Sequence, residues 1–436
     1  MASVSGIKLL KKINNMEFTN ATEAADTDLQ PFENEKESAA KKKKDDRPRI
    51  FGSNNVMFER NKERHDFLRR LVGSAMTPQA LKEALPTIQK TAQATIESEI
   101  LNGQKVVKME NVCVDFTMAI VQNQFLGIQL STEEACVFRD KVKVWLKALY
   151  SLSAFVPWLV RRSASYKAKL YIVEKIEQKI DLLLEKGPDS STLSNMLFAV
   201  DENDPAKKLS REEVIENAQV LVIAGSETTA STLTLATLLL GLHPDKHQTI
   251  VKEQQAIVQR YGKELTPRIL DQEMPYLEAA IKEALRLGTV TGNFPKTAKQ
   301  TITVDGFQIP KGWNIFSNYR LTHQLDPVIR EANNAHMDPW TGFVPERWFQ
   351  EATTPSAFVP FGTGPRFCLG YNLAMLEMKV FLATMARNVP VIELVNNQQG
   401  GVRWNPSTLI PMPVDGTLIK APEATTISTP SGTAHE

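Results

Sequence analysis

The stretch FVPFGTGPRFCLG, residues 358–370, surrounds one cysteine with three glycines, two prolines and an arginine, and a helix-like run follows it. Glycine adopts left-handed backbone angles at little cost, so Gly362 and Gly364 favour tight turns beside the cysteine. N–H groups in such a loop can point at the sulfur of Cys368, and the start of a helix adds positive partial charge. The pattern is typical of a thiolate metal ligand. A buried inert cysteine is the alternative, and the usual case for an isolated one.

Composition excludes several classes of protein. The chain has 436 residues, of which 42% are hydrophobic, and a formal net charge of +1. This length is enough to bury a large core, and the near-neutral charge argues against a nucleic-acid partner. The three cysteines, Cys113, Cys136 and Cys368, have no CxxC spacing. Because neither a disulfide framework nor a zinc site is indicated, the sequence predicts a protein of a reducing compartment.

The two ends of the chain differ in composition from its middle. Residues 1–48 are polar and charge-mixed, without a signal peptide or membrane anchor, and residues 422–436 are rich in Thr, Ser, Pro and Ala. We expect both ends to be disordered and residues 49–421 to form a single domain. Helical spacing prevails up to about Arg286, and strand-like runs such as TITVDGFQIPKGWNIF follow. The predicted fold class is mainly α with a small β region.

Residues 210–244 predict one long helix. The segment opens with the capping-box pair Ser210 and Glu213 and stops before Pro244, so it would run for roughly thirty residues, about 45 Å. Between Ala218 and Leu242, Glu227 is the only charged residue. A membrane span is conceivable, but the many Ser and Thr residues favour a buried core helix. Neither explains the polar cluster AGSETT, because buried polar groups cost free energy unless they have partners.

The stretch FGTGPRFCLG matches the pattern FxxGxRxCxG and resembles the signature of the cytochrome P-450 family, the haem-thiolate monooxygenases. Three further motifs resemble those of the family and follow its order: AGSETT at 224–229, EALR at 283–286 and FVPERW at 343–348. The resemblance extends over roughly residues 51–420. On these four ordered motifs the chain is identified as a member of the family, and the cytochrome P-450 fold is expected.

The resemblance assigns haem b as the cofactor, with Cys368 as the thiolate ligand of its iron. A thiolate donates electron density that favours O–O cleavage. The haem propionates need cations, and a lysine stands where the family usually has one of its arginines. The residues implied around the haem are His65, Arg69, Lys296, Phe361, Gly362, Arg366 and Gly370.

On the AGSETT segment the resemblance gives two residues catalytic roles. Thr228 would hydrogen-bond the oxygen intermediate, and Glu227 would deliver protons through water. We expect Gly225 to leave room for dioxygen beside the helix. The alternative is a threonine that bonds its own helix and a solvated glutamate. The residues expected to line the substrate pocket are Ala224, Val290 and Phe294.

Glu283 and Arg286 lie three residues apart on one predicted helix face. An ordinary surface ion pair is the alternative from the residues alone. The resemblance instead implies that these two residues and Arg347 form a buried structural network that holds the cysteine loop.

The predicted function is hydroxylation of a lipophilic substrate with dioxygen. The segments GFQIPKGW and RLTHQLDP are similar to the branch that holds retinoic-acid, sterol and brassinosteroid hydroxylases, which suggests an isoprenoid, sterol or retinoid-like substrate. Two alternatives stay open. One is a haem-thiolate isomerase or dehydratase, whose members often lack the acid–threonine pair. The other is a truncated, non-catalytic haem-binding protein.

Electrons would come from NAD(P)H through a separate reductase or a ferredoxin, because the chain has no room for a flavin domain. We expect Lys379 and the stretch KVKVWLK, residues 141–147, to dock an acidic carrier; simple surface lysines are the alternative. Family resemblance implies an intracellular protein at the endoplasmic-reticulum membrane, although no anchor is visible and the sequence reads as soluble. Family members carry more residues before the His65 helix, so we expect shortened N-terminal elements.

Overall fold

The computed structural model describes most of the chain between Gly52 and Ala421. The described residues are 52, 54–147, 160, 162–200, 208–289, 296–298, 300–304, 306–331, 337–395, 403 and 413–421. The two ends predicted to be disordered, residues 1–48 and 422–436, lie outside them, and the proposed domain limits stay a prediction.

Helices form most of the described chain. In chain order they are α1 (Lys62–Gly73), α2 (Pro78–Ile96), α3 (Met109–Ile120), α4 (Thr132–Leu146), α5 (Ala164–Lys186), α6 (Thr192–Phe198), α7 (Arg211–Leu242), α8 (Pro244–Tyr261), α9 (Pro267–Gln272), α10 (Pro275–Leu287), α11 (Tyr319–Gln324), α12 (Pro327–Glu331) and α13 (Tyr371–Asn388). π-Helical turns continue α2 over Glu97–Leu101 and α3 over Val121–Leu126. Short 3₁₀ turns occupy Ser74–Met76, Pro345–Phe349 and Gly364–Arg366.

The strands of the described chain are short and pair two by two. They are β1 (Val106–Lys108), β2 (Lys296–Thr297), β3 (Ile302–Val304), β4 (Phe307–Ile309), β5 (Asn314–Ile315) and β6 (Leu418–Lys420). All three pairs are antiparallel: β1 with β6, β2 with β5, and β3 with β4. The β3–β4 hairpin turns through Gly306, whose φ of 82° suits glycine. A mainly α fold with a small β region is therefore confirmed.

The long helix predicted from the sequence is α7, which spans 32 residues. Its capping box forms as predicted: the N–H of Glu213 donates to Ser210 Oγ at 3.2 Å, and the N–H of Ser210 donates to Glu213 Oε2 at 2.9 Å. Most of its second half is buried, so its apolar residues belong to the core. In the part of the chain that the structure describes, no helix has the length and apolar character that a membrane crossing requires.

Helix α13 begins directly after the cysteine stretch and is buried along most of its length. It packs against α3, where the rings of Phe116 and Phe381 lie 4.9 Å apart, and against α7, where Thr237 Oγ1 lies 3.9 Å from Met385 Sδ. The two helices that carry the AGSETT and cysteine motifs are therefore in direct contact within one core.

Candidate functional site

The cysteine loop turns twice before it enters α13. Gly362 and Gly364 have φ angles of 74° and 72°, in the left-handed region where other residues are strained. The N–H of Cys368 donates to the carbonyl of Phe361 at 2.9 Å, which closes the loop on itself. The two glycines thus occupy the turn positions expected from the sequence.

The surroundings of the Cys368 thiol act on its pKa in opposite directions. Burial raises the pKa, while the N–H of Gly370 and the charge of Arg69 lower it, and the net effect is a raised value. Gly370 is the N-cap of α13, so this N–H belongs to the helix start. A cation bound at the sulfur, such as a metal ion, would favour the thiolate form.

Three basic side chains from two parts of the chain meet near the cysteine. His65 and Arg69 lie one turn apart on α1. Burial lowers the pKa of Arg69, and the neighbouring Cys368 opposes that shift. Burial and then the charge of Arg366 lower the pKa of His65, which keeps its imidazole neutral at neutral pH. The structure thus brings together residues that are about 300 positions apart in the sequence and that were assigned to one cofactor.

Arg366 has a structural role that the sequence did not reveal. Its guanidinium donates to the carbonyls of Val56 at 3.3 Å, Met57 at 3.5 Å and Glu59 at 2.5 Å. It therefore ties the segment before α1 to the cysteine loop. A contact with a haem propionate stays a prediction for this residue.

Two other residues predicted to contact the cofactor are Phe361 and Lys296, and they lie in different elements. The ring of Phe361 meets Tyr371 edge-on, with centroids 4.9 Å apart, so it packs the loop onto the first turn of α13. Lys296 lies on β2 opposite Ile315 and is partly exposed. Its role as a substitute for the arginine of the family stays a prediction.

His323 and Asp326, which the sequence analysis did not single out, hold the entrance of the cysteine loop. Nε2 of His323 accepts the N–H of Val359 at 3.0 Å, and its Nδ1 lies 3.2 Å from the carbonyl of Arg286. Asp326 Oδ2 accepts the N–H of Ala357 at 2.7 Å. Burial lowers the pKa of His323 to about 4, so its ring is neutral, as an acceptor nitrogen requires. Asp before Pro is a capping signal, but nothing local indicated the contact with the loop.

The structure brings Glu283, Arg286 and Arg347 together in the interior. Arg286 Nη2 and Arg347 Nε each donate to Glu283 Oε1 at 2.8 Å, and the Glu283 and Arg286 side chains are 0% exposed. Arg286 also donates to the carbonyl of Gly342 at 2.9 Å, and Trp348 Nε1 donates to Glu283 Oε2 at 3.0 Å. A surface ion pair is excluded by this burial. The cluster joins α10 to the 342–348 segment.

Thr228 and Glu227 lie on α7, where both are partly exposed. Thr228 Oγ1 donates to the carbonyl of Ala224 at 2.7 Å, which is the helix-internal bond considered as the alternative. Glu227 is not simply solvated. Burial raises the pKa of its carboxyl group; Lys143 opposes this shift and Glu110 adds to it. The acid can therefore hold a proton closer to neutral pH than an exposed glutamate does.

The structure shows what lies against the bare side of Gly225, while the expected room for dioxygen beside this glycine stays a prediction. A Cβ atom there would lie 2.8 Å from Phe125 and 3.2 Å from Val121, so the bare side of this glycine faces the π-helical turn after α3. The missing side chain allows two helical segments to approach closely.

The expectation that Lys379 docks an acidic carrier protein was wrong. Lys379 is buried on α13, where its Nζ donates to the carbonyl of Leu270 at 2.9 Å and lies 2.8 Å from Glu278 Oε2. It is neither a docking residue nor a plain surface lysine. In the 141–147 stretch, Lys143 Nζ lies near Asn111 Oδ1, and its charge lowers the pKa of Glu227. This lysine therefore influences a residue of α7.

Of the three residues predicted to line a substrate pocket, the structure describes one. Ala224 is partly exposed on α7, one turn before Thr228. Val290 and Phe294 lie outside the described residues.

The chemistry of the residues present fits a haem group. Cys368, with cationic Arg69 and neutral His65 nearby, offers a sulfur ligand for iron and hydrogen-bond donors for carboxylates. In the described ranges no group of three or more His, Cys, Asp or Glu side chains forms a metal site.

Comparisons with known proteins define the class. The family model "Cytochrome P450" matches residues 15–398. Cytochrome P450 26B1 of Xenopus tropicalis is 29% identical over 337 residues, which are 74% of this chain and 64% of the frog protein. The putative cytochrome P450 120 of Synechocystis sp. is 29% identical over 343 residues, 76% of this chain and 72% of the relative. The chain belongs to the cytochrome P450 family, and it spans about two thirds of the length of these relatives.

A solved structure supports the same assignment. The retinoic acid-bound structure of cyanobacterial CYP120A1 superposes with a TM-score of 0.76 and 26% identity, over 96% of this chain and 88% of that one. The cytochrome P-450 fold and the similarity to the retinoid branch are thereby confirmed. Members of the family carry haem b on a cysteine thiolate, and haem b is accordingly the cofactor of this chain.

Proposed function

We propose that this chain is a monooxygenase that hydroxylates a lipophilic small molecule, with dioxygen and electrons from a separate carrier protein. The observation that supports this most is the pair on α7: Glu227, an acid with a pKa raised by burial, next to the hydroxyl of Thr228. Reductive cleavage of dioxygen requires protons, and such a pair can supply and pass them on. One C–H bond, dioxygen, two electrons and two protons give the alcohol and water.

In this proposal Cys368 holds the iron, and Arg69, Arg366 and Lys296 provide cations for the propionates. Neutral His65 adds a hydrogen-bond donor. Bound haem b supplies the dioxygen-activating chemistry, and its thiolate ligand favours O–O cleavage. The remaining residues shape the loop: Phe361 packs it on α13, Gly362 allows its turn, and the N–H of Gly370 stabilises charge on the sulfur.

The two residues on α7 have separate tasks. Thr228 Oγ1 bonds the carbonyl of Ala224, and rotation about its χ1 angle would turn that hydroxyl toward the oxygen site. Glu227 then passes its proton to Thr228 Oγ1 through a water molecule. The charges of Lys143 and Glu110 affect the pKa of the Glu227 carboxyl group. We therefore propose that solvent protons reach Glu227 again from the side of the helix where these two residues lie.

A retinoid-like or other isoprenoid compound is the substrate class we favour. The support is the similarity to CYP120A1, a protein whose structure holds retinoic acid. Val290 and Phe294 stay expected lining residues alongside Ala224.

The carrier protein would approach next to the cysteine. A surface cavity of ≈ 560 Å³ lies beside Leu369, the residue after Cys368, and its lining includes Arg69 and Arg70 with one acid, Asp66. Basic side chains at such a rim favour an acidic partner, either a reductase or a ferredoxin. We also place the protein inside the cell, where Cys113 and Cys136, which form no disulfide, stay reduced.

Replacement of the threonine tests the proposal. We expect Thr228→Ala to bind haem normally but to lose product formation by roughly 10²-fold, within the range of general acid–base effects, while electrons from the carrier go to hydrogen peroxide. The measurement is product and peroxide formed per electron consumed. Thr228→Ser keeps the hydroxyl and serves as the control, with near-normal coupling. Unchanged coupling in Thr228→Ala would remove Thr228 from the mechanism.

A further inference from the structure

A hydroxyl from a neighbouring helix bonds the main chain of α7 directly before the Glu227–Thr228 pair. Oγ1 of Thr117, on α3, donates to the carbonyl of Ser226 at 2.7 Å. Both residues are 0% exposed, so the bond is shielded from water. The Ser226 carbonyl belongs to the peptide bond that leads into Glu227, and a peptide bond is planar. A donor that fixes this carbonyl therefore also fixes the backbone from which the Glu227 side chain projects.

The hydroxyl of Thr117 has two other carbonyls within reach, and both belong to its own helix. They are those of Cys113 at 3.1 Å and Val114 at 3.3 Å. A threonine hydroxyl carries a single proton, so it donates to one carbonyl at a time, and the shortest of the three distances is the one to Ser226. The hydroxyl of Thr228, in contrast, bonds within its own helix. Thr117 therefore links two helices.

Thr117 is part of a face of α3 that lies against this stretch of α7. Val121 and Phe125 follow it at intervals of four residues, in the π-helical turn that continues α3, and both would contact a side chain added at Gly225. Turns of this kind are frequent at functional sites. One face of α3 thus holds the two residues of α7 that precede the pair: Gly225 allows the close approach, and the Thr117 hydroxyl adds a directional bond to Ser226.

We propose that Thr117 is a positioning residue for the oxygen chemistry. Its hydrogen bond to the Ser226 carbonyl sets the direction in which Glu227 and Thr228 project from α7. In this role it acts through the pair and not by contact with substrate or haem. The inference rests on the proposed monooxygenase function, in which proton transfer needs hydrogen-bond distances between donor and acceptor. A displaced pair delivers protons less well, and electrons then go to hydrogen peroxide.

The fraction of electrons that ends in product tests this in the haem-loaded protein. Thr117→Val has nearly the same shape but no hydroxyl, and we expect roughly fivefold less product per electron, as for the loss of one hydrogen bond, with correspondingly more peroxide. Thr117→Ser keeps the hydroxyl and should restore the coupling. The matched control is Thr237→Val. Thr237 is also 0% exposed, but its hydroxyl bonds within α7, to the carbonyl of Leu233 at 2.9 Å, so this variant should stay coupled.

The double variant Thr117→Val, Thr228→Ala separates positioning from a general loss of stability. A residue that acts through the pair has little left to position once the Thr228 hydroxyl is gone. The double variant should therefore be no less coupled than Thr228→Ala alone, whereas independent effects would add. A further loss by the same factor, or normal coupling in Thr117→Val, would overturn the proposal.

Hydrogen exchange measured by mass spectrometry gives a readout that needs no turnover. Loss of the Thr117 bond should speed amide exchange roughly fivefold in the segment 225–231 of the haem-loaded protein, and Thr237→Val should leave that segment unchanged. Unchanged exchange in Thr117→Val would also overturn the proposal. A haem-loaded wild type that forms no product, together with faster exchange in Thr117→Val, would count against the monooxygenase function and not against the bond that orients the pair.

Discussion

At the scale of single residues, the site depends on where side chains are missing as much as on where they are present. Gly225 gives α7 a bare face against Phe125, while Gly362 and Gly364 allow the turns that return the chain to Cys368. The loop glycines could be predicted from the sequence because turn geometry is local. The role of Gly225 could not, because Phe125 is 100 positions away in the sequence and only the fold brings them together.

Gly225→Ala should therefore destabilise the protein instead of blocking dioxygen. The added Cβ atom would lie 2.8 Å from the Phe125 ring, and overpacking of this kind costs about 1–3 kcal/mol. Urea unfolding of the haem-loaded protein measures the change. The double variant Gly225→Ala, Phe125→Leu makes room and should recover part of the loss. Full stability of Gly225→Ala with a selective loss of dioxygen binding would instead show that Gly225 leaves room for dioxygen.

At the scale of elements, the cysteine loop is fixed by helices that precede it in the chain. His323 on α11 accepts a hydrogen bond from the N–H of Val359, and Asp326 accepts one from the N–H of Ala357. Glu283 on α10 accepts hydrogen bonds from both Arg286 and Arg347. The Glu283 network was predicted through motif resemblance. The His323 contact was missed because the segment RLTHQLDP carries no spacing that points to a loop thirty-odd residues later.

His323 should make the protein sensitive to acid. Its pKa is about 4 in the folded chain against an ordinary value of 6.5, so between these values the unfolded state binds more protons and stability falls as pH decreases. The loss amounts to about 3 kcal/mol by pH 4. His323→Gln keeps an oxygen acceptor for the Val359 N–H but cannot gain a proton. Unfolding free energies measured from about pH 7 to 4 should therefore fall less steeply in this variant.

A matched control is His243→Gln, since His243 also contacts a main-chain carbonyl, that of Pro339. This variant should keep the wild-type dependence on pH. An equal slope in His323→Gln and the wild type would show that another group carries the acid sensitivity.

At the scale of the whole molecule, the fold is a helical core that brings four sequence motifs from separate elements to one region. Length, periodicity and the ordered motifs were enough to predict a mainly α protein of this family. Surface properties were harder to predict, since Lys379 is buried against Glu278 although lysines are usually exposed. Partner identity and substrate depend on such surfaces and pockets, and so they follow less directly from the sequence than the haem ligand does.

The bond between one sulfur atom and haem iron is the central claim, and the carbon monoxide difference spectrum of the reduced, haem-loaded chain tests it most directly. We expect the red-shifted Soret band of a thiolate-ligated complex in the wild type and in Cys136→Ala, a change at an exposed cysteine. Cys368→Ala should lack that band. A thiolate-type band that survives in Cys368→Ala, or its absence from a wild-type chain that has bound haem, would contradict the account.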